Sequence, residues 1–297
     1  MKKKIILYLG GGCMSGIFGA GVVTKFQEMK FYNKIEAIYA GSVGAMNAAY
    51  FLARQTKLGS SIYYEDLTTN FIKPFNVPIG ILQLFWNRYI YQLSEERINN
   101  IVSIDYVFEI IRNKKVLDIK KLNNQNINFY VKLLNVFNGE IEYINVKKHN
   151  SLNILKAAIS IVPYCFNSEK INGKAYIDGT IKEPIGLKHL LKKHPNQKII
   201  VVINEPIDRG FRHYSKVFLE GSVAKLHPYN IPLFKFFINR EKSVRNDIRM
   251  ALSNERVLLI HPLKNNPTVP RTTKYSKLMT TYKMGIKEAE KIKYFID

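Results

Sequence analysis

A single serine stands among small residues in the stretch AGSVGAM, residues 40–46, between an apolar run and a helical pattern. Gly and Ser are ordinary turn formers, so the stretch could be no more than a strand-to-helix connection. The sharper interpretation is a nucleophile elbow, a turn so tight that small residues such as Gly41 and Gly44 must flank the serine. Ser42 is therefore a candidate nucleophile for attack on an acyl carbon.

A second small-residue stretch, GGGCMSG at residues 10–16, follows the first apolar run. In a parallel sheet this loop would open on the same edge as the elbow, and glycines there would let backbone N–H groups converge on an anion. Nucleotide binding is the alternative. The loop lacks the Gly-Lys-Ser/Thr ending of a P-loop, and Ser15 occupies the sixth position where G-x-G-x-x-G requires Gly. No cofactor is predicted.

A serine nucleophile needs a base, and two candidates follow strand-like runs. Asp178 lies in AYIDGTIKEP, where a strand leads into an Asp-Gly turn that could equally be only a turn. His261 follows RVLLI, and the order Ser42, Asp178, His261 is that of an α/β-hydrolase triad. Such an elbow comes only after several strands, however, whereas Ser42 follows the second. Asp178 is the preferred base.

The elements around these residues predict an α/β fold. Apolar runs at 4–9 and 34–40 each lead into a helical pattern, at 17–29 and 43–54, which is how a parallel sheet is built. Hairpins are predicted around Asn138-Gly139 and Asn172-Gly173. The remaining elements are a helix ended by Pro163, buried strands at 198–204 and 256–262, and an amphipathic helix at 274–296.

Residues 66–93 are harder to place, because aromatic residues and two prolines occur there with few charges. One interpretation is a helical cap over the core. The other is a lid or membrane-contact surface, in which Trp86 and nearby tyrosines lie at a lipid interface.

Composition limits the function classes. The chain has 297 residues, of which 46% are hydrophobic, so it has ample material for a core. Its 45 Lys+Arg against 23 Asp+Glu give a net charge of +22, which favours an anionic partner such as an acidic membrane. No zinc-finger spacing, RNP-like motif or long basic helix supports specific nucleic-acid binding. Cys13 and Cys165 form neither a disulfide framework nor a zinc pattern, so no metal is predicted.

The N-terminal stretch MKKKIILYLGGG has the basic start and apolar run of a secretory signal. Its apolar part is short, and cleavage there would destroy the glycine loop. We therefore predict a first core strand, no transmembrane span, and a cytoplasmic or peripheral membrane location, with signal-independent export left open.

Taken together, the GGG loop, the GSVG elbow and the late Asp-Gly resemble the patatin-like phospholipase family, from about Ile5 to Pro184. The resemblance also includes GIFGAGVV after the loop and AAISIVPYCFNSEKINGKAYIDGTIKEP. It implies a three-layer α/β/α fold with a mainly parallel central sheet. On this resemblance, we predict that residues 1–190 form the catalytic core. Within it, residues 66–125 could form a helical cap or lid. Residues 191–297 are expected to complete the same domain.

The resemblance assigns roles to residues in this chain. Ser42 is the implied nucleophile and Asp178 the implied general base of a dyad that works without histidine or calcium. The implied oxyanion hole is the backbone of Gly11, Gly12 and Cys13. Supporting positions in the elbow and loops are Gly10, Gly16, Gly41, Gly44 and Gly179.

Three positions depart from the family's pattern. Ala40 stands where the elbow usually begins with Gly, a change of one small residue for another. Thr180 follows Asp178-Gly179 where a second Gly is common. Ser15 stands where the family often has Arg, which could alter rate or substrate preference while leaving the dyad intact.

The expected function is a serine lipid acyl hydrolase that cleaves fatty-acyl esters of phospholipids through an acyl-enzyme and touches an anionic membrane peripherally. Two alternatives stay open. The same dyad could serve a thioesterase or acyltransferase, or the chain could be a catalytically weak, basic membrane-binding protein. Headgroup, acyl position, need for an activator and oligomeric state are left undetermined.

Overall fold

A computed structural model describes residues 5–73, 76–89, 100–165, 167–207 and 211–296. Strands and helices alternate along most of this length. The strands are β1 (Ile5–Leu9), β2 (Ile35–Ala40), β3 (Asn128–Asn135), β4 (Ile141–Asn145), β5 (Glu169–Ile171), β6 (Lys174–Asp178), β7 (Lys198–Val202) and β8 (Val257–Ile260).

The α-helices fall into two groups along the chain. The first half contains α1 (Ile17–Glu28), α2 (Val43–Leu52), α3 (Thr56–Ser61), α4 (Asn76–Tyr89), α5 (Ile104–Glu109) and α6 (Ile119–Asn123). The second half contains α7 (Ser151–Ile159), α8 (Leu187–Lys193), α9 (Phe211–Ala224), α10 (Leu233–Leu252), α11 (Tyr275–Glu288) and α12 (Lys293–Ile296).

The strands form one mixed sheet in the order β5-β6-β3-β2-β1-β7-β8, with β4 paired to β3. The strands from β3 through β2, β1 and β7 to β8 pair in parallel, whereas the pairs β3–β4, β3–β6 and β5–β6 are antiparallel. Helices cover both faces, which confirms the predicted three-layer α/β/α class with a mainly parallel sheet. Each face of β1 therefore reaches a different core: Leu7 packs with α1 and α2, and Tyr8 packs with residues of α8 and α10.

Strands β2 and β6 lie end to end along one edge of β3, because β4 occupies the other edge over the same residues. Ala40, the last residue of β2, pairs with Val131, and Asp178, the last residue of β6, pairs with Leu133. The two strands approach from opposite directions. The turn after β2 therefore meets the end of β6.

Several predicted elements are confirmed with shifted ends. Both positions of the Asn172-Gly173 turn have positive φ, as a two-residue hairpin requires. The helix before Pro163 already ends at Ile159, and α2 ends at Leu52, after which Arg54 is left-handed with φ 62°. The predicted helix at 274–296 is broken after Glu288 by a 3₁₀ turn.

Buried and exposed residues do not alternate along the whole of β3. The second half of this strand, including Lys132, is buried on both sides because it lies in a sheet covered by helices on both faces.

The chain beyond residue 190 contributes to the same sheet, since β7 pairs with β1. Helix α11 packs closely on α1, where a Cβ at Gly285 would lie 2.1 Å from the Phe18 carbonyl oxygen. The predicted domain boundaries and the cap or lid at 66–125 stay predictions. Part of that segment, residues 74–75 and 90–99, lies outside the described residues. Within the described ranges, no helix is long and apolar enough to cross a bilayer.

Candidate active site

Ser42 occupies the tight turn between β2 and α2, with φ 52° and ψ −140°, a backbone conformation that is strained for a residue with a side chain. The turn passes close to its neighbours. A Cβ at Gly44 would lie 2.2 Å from the Leu9 carbonyl oxygen, and one at Gly41 would lie 2.5 Å from Thr180 Cγ2. This is the geometry that the small-residue pattern predicts. The turn holds the serine at the N-terminus of α2, where the helix dipole favours negative charge.

Asp178 lies at the facing end of β6 and is fully buried. Its Oδ1 accepts hydrogen bonds from the backbone N–H and the hydroxyl of Thr180, each at 2.8 Å. Burial raises the pKa of Asp178, whereas the hydrogen bonds from Thr180, the nearby Ser42 hydroxyl and the charge of Arg240 lower it. The net direction is upward, which makes this carboxylate a stronger base than an exposed aspartate.

The approach of Ser42 to Asp178 is close but incomplete. The serine hydroxyl lies near enough to lower the pKa of Asp178, yet the buried Oδ2 atom has no partner that meets full hydrogen-bond geometry. The two groups are therefore adjacent, without a well-formed hydrogen bond. Catalytic pairs are often long or poorly aligned before substrate binds.

The glycine loop lies directly against the serine. A Cβ at Gly11 would lie 2.7 Å from Ser42 Cβ, and Gly12 has φ 142°, so neither position accepts an ordinary side chain. Among the described residues, no protein acceptor takes a hydrogen bond from the N–H of Gly11 or Gly12. Gly11 lies against the serine and Gly12 is the next residue, so these two N–H groups are the candidate oxyanion donors. Cys13 follows with φ 50° at the start of a 3₁₀ turn.

Asn204, which the sequence analysis missed, holds this loop in place. Its side-chain amide donates to the carbonyl oxygens of Gly10 and Gly11 at 2.7 and 2.9 Å. Its Oδ1 accepts from the N–H of Gly19 at 2.8 Å. A polar residue just after the buried strand IIVVI was the available signal, since that strand ends on the edge where the loop opens.

Lys132 packs against both turns of the site and was also missed. A Cβ at Gly41 would lie 3.5 Å from its Cε, and one at Gly179 would lie 2.8 Å from its Cγ. The fully buried Nζ donates to the Ile185 carbonyl oxygen at 2.9 Å and lies 3.6 Å from Glu183 Oε2. Burial lowers the pKa of Lys132, and the Glu183 carboxylate opposes that change.

The remaining predicted positions are placed as follows. A Cβ at Gly10 would lie close to the Val202 carbonyl oxygen, and a Cβ at Gly16 would lie 2.5 Å from Val43 Cγ1. Ser15 is fully buried and its hydroxyl has no hydrogen-bond partner.

His261 does not join Ser42. It follows β8, which is separated from β2 by β1 and β7, a span of roughly 14 Å at the usual strand spacing. Its Nδ1 lies 3.0 Å from the Pro262 carbonyl oxygen in its own loop. The histidine-triad alternative is therefore not supported by this arrangement.

A cleft opens beside the glycine loop. Its lining includes Gly11, Gly12, Thr180 and Asn204, together with Arg240 from α10. Among the described residues, no group of three or more His, Cys, Asp or Glu side chains is arranged to hold a metal ion.

The chain is similar to proteins of one known family. The sequence profile described as "Patatin-like phospholipase" matches residues 7–191, well over half of the chain. The chain therefore belongs to the patatin-like phospholipase family, as the resemblance implied.

Individual relatives are distant. An uncharacterized protein of Escherichia coli (strain K12), YjjU, is 22% identical over 291 residues, covering 95% of this chain and 75% of YjjU. Among solved structures, VipD from Legionella pneumophila aligns at a TM-score of 0.46 and 12% identity, covering 98% of this chain and 67% of VipD. The type III effector protein ExoU aligns at a TM-score of 0.41 and 11% identity. This chain spans about half of its length, 54%.

Proposed function

We propose that this protein is a serine hydrolase that cleaves fatty-acyl esters of phospholipids, with Ser42 as nucleophile and Asp178 as general base. The observation that carries the proposal is the meeting of a strained Ser42, a buried Asp178 and two unengaged N–H groups at one point of the sheet edge. Membership of the family supports the reaction class.

The reaction has two halves. Asp178 accepts the Ser42 proton while Oγ attacks the ester carbonyl carbon, and the N–H groups of Gly11 and Gly12 hold the resulting oxyanion. The tetrahedral intermediate collapses, the leaving alcohol takes the proton that Asp178 holds, and an acyl-serine remains. Water then gives a proton to Asp178 and attacks the acyl carbon. As this second intermediate collapses, Asp178 returns the proton to Ser42 Oγ and the fatty acid is released. Loss of one oxyanion donor typically lowers the rate by about 10² to 10³.

The test is fatty-acid release from mixed phospholipid vesicles in EDTA, with each variant checked for folding. We expect Ser42→Ala and Asp178→Asn to lose activity on the order of 10⁴-fold or more. The nucleophile and its base act as a unit, so the loss of either one removes most of the catalysis. Ser60→Ala and Asp105→Asn are matched controls, since Ser60 lies in α3 and Asp105 pairs with Lys156 at the surface. Equal activity in wild type and Ser42→Ala would show that Ser42 is not the nucleophile. Inactivity of the wild type would contradict the proposed function.

For membrane contact, we propose the exposed side of α4. Ile79, Leu82 and Trp86 are 48%, 58% and 43% exposed at helical spacing, and the net charge of +22 favours an anionic bilayer. Leu82→Asp should reduce sedimentation with phosphatidylglycerol vesicles, while the exposed polar substitution Asn239→Asp on α10 should change it little. Unchanged sedimentation of Leu82→Asp would show that α4 does not form the membrane contact.

A further inference from the structure

Arg240 introduces a positive charge into the cleft beside the glycine loop. It projects from α10, far outside residues 7–191 that the family profile matches. Among the described lining residues it is the one cation, and Gly11, Gly12 and Thr180 line the same cleft. An anion bound there would therefore lie next to Gly11 and Gly12, the proposed oxyanion donors.

The Arg240 side chain has unused binding capacity. Its Nε is buried without a hydrogen-bond partner, and no carboxylate of the described residues forms an ion pair with it. Glu205, the acidic residue of the lining, has an interaction of its own. A partly buried guanidinium without a counterion has lost solvation that an anionic ligand can replace.

The charge of Arg240 reaches the reacting groups. Burial raises the pKa of Asp178, and Arg240 is among the groups that lower it. It also lowers the pKa of Tyr8, which burial raises. Arg240 is not required as an oxyanion donor, because the N–H groups of Gly11 and Gly12 already fill that role in the proposed reaction.

We propose that Arg240 binds the phosphate group of a glycerophospholipid substrate in this cleft while the ester carbonyl faces Gly11 and Gly12. This inference rests on the proposed function and specifies its substrate class. A guanidinium matches phosphate oxygens with two parallel N–H donors, which a neutral ester cannot use. Arg240 thus distinguishes phospholipids from neutral acyl esters.

The kinetic test compares two substrates with the same acyl chain, dihexanoyl phosphatidylglycerol and p-nitrophenyl hexanoate. Assays are run above the acidic limb of the pH profile, so that Asp178 is ionised in every variant. Arg240→Gln should lower kcat/KM for the phospholipid roughly 10- to 100-fold and leave the neutral ester within about 2-fold. Arg240→Lys should restore part of the loss, and Arg249→Gln, an exposed arginine on the same helix, should behave as wild type. Equal losses on both substrates would overturn the proposal and make Arg240 part of the catalytic machinery.

A binding test separates this proposal from the proposed function. Ser42→Ala protein is titrated calorimetrically with dihexanoyl phosphatidylglycerol below its micelle concentration, with dihexanoyl glycerol, and with inorganic phosphate. We expect the phospholipid to bind, the diacylglycerol to bind at least about 10-fold more weakly, and Arg240→Gln to remove that difference. If the wild type hydrolyses nothing, this result still decides the binding site. If inorganic phosphate binds as tightly as the lipid, Arg240 belongs to a free-phosphate site and not to a substrate site. If no binding depends on Arg240, neither the phospholipid site nor the free-phosphate site is correct.

Discussion

Two cationic side chains, Lys132 and Arg240, interact electrostatically with the Asp178 carboxylate. The protein surrounds them differently. Lys132 belongs to a buried cluster with Tyr8, Tyr143 and Glu183, where its Nζ has a carbonyl partner and a nearby carboxylate. Arg240 lies in the cleft with a buried, unpartnered Nε. A buried charge with its own partners serves the fold, whereas one without them is available to a ligand. The contrast separates scaffold from binding site within one active-site region.

The largest expected effect is on stability in the Lys132 cluster. Lys132→Met removes the donor to the Ile185 carbonyl oxygen and the cation beside Glu183, so we expect a loss of about 3 kcal/mol in the free energy of unfolding. Arg240→Met breaks no ion pair among the described residues and should cost less than about 1 kcal/mol. Urea denaturation followed by circular dichroism measures both. Equal losses would mean that the two cations are structurally equivalent.

Asn204 lies in the cleft but has all its partners, so it should behave as a positioning residue. Asn204→Ala frees the carbonyls of Gly10 and Gly11, and we expect kcat to fall about 10²-fold with little change in KM, because the oxyanion donors lose their orientation. Asn239→Ala, an exposed residue of α10, is the control. A change confined to KM would instead place Asn204 in substrate binding.

Asp178 itself links pH to stability. Its pKa is raised in the folded protein by burial, so between the unfolded value near 3.9 and the folded value the native state holds more protons than the unfolded state. Stability contributed by this group is therefore present at low pH and lost as the pH rises through that window, by about 1.4 kcal/mol for each pH unit between the two pKa values.

Asp178→Asn removes this loss. The variant should be more stable than wild type at neutral pH, and the difference should shrink as the pH falls towards 4. Urea midpoints across that range test it. A difference that grows at acid pH would mean that the carboxylate is stabilised in its charged form.

The smallest effect is expected at Thr180. Thr180→Val keeps the backbone hydrogen bond to Asp178 Oδ1 and removes the hydroxyl one, at a cost of about 1 kcal/mol. The pKa of Asp178 should rise further, so the acidic limb of kcat/KM should move to higher pH. Thr280→Val, whose hydroxyl donates to the Ser276 carbonyl oxygen at an exposed position of α11, should leave the limb in place. A limb that stays fixed in Thr180→Val would show that another group sets it.

Local chemistry explains why so much of the site could be predicted. A serine between small residues, a run of glycines after a strand and an Asp-Gly turn each report a backbone requirement within a few residues. The close contacts at Gly11, Gly41 and Gly44 are those requirements in three dimensions. The burial of Lys132 could not be predicted in this way, because the pattern of one strand does not tell whether helices will cover its second face.

The sequence by itself determined the alternation of strands and helices, the tight turns and the residue types able to form a nucleophile, a base and an oxyanion loop, because these depend on local sterics and periodicity. Only the tertiary structure decided which of them meet. Ser42 and Asp178 lie 136 positions apart and come together because β2 and β6 share one edge of β3. The partners Asn204 and Arg240 follow from strand order and helix packing, which long-range burial selects and no local pattern specifies.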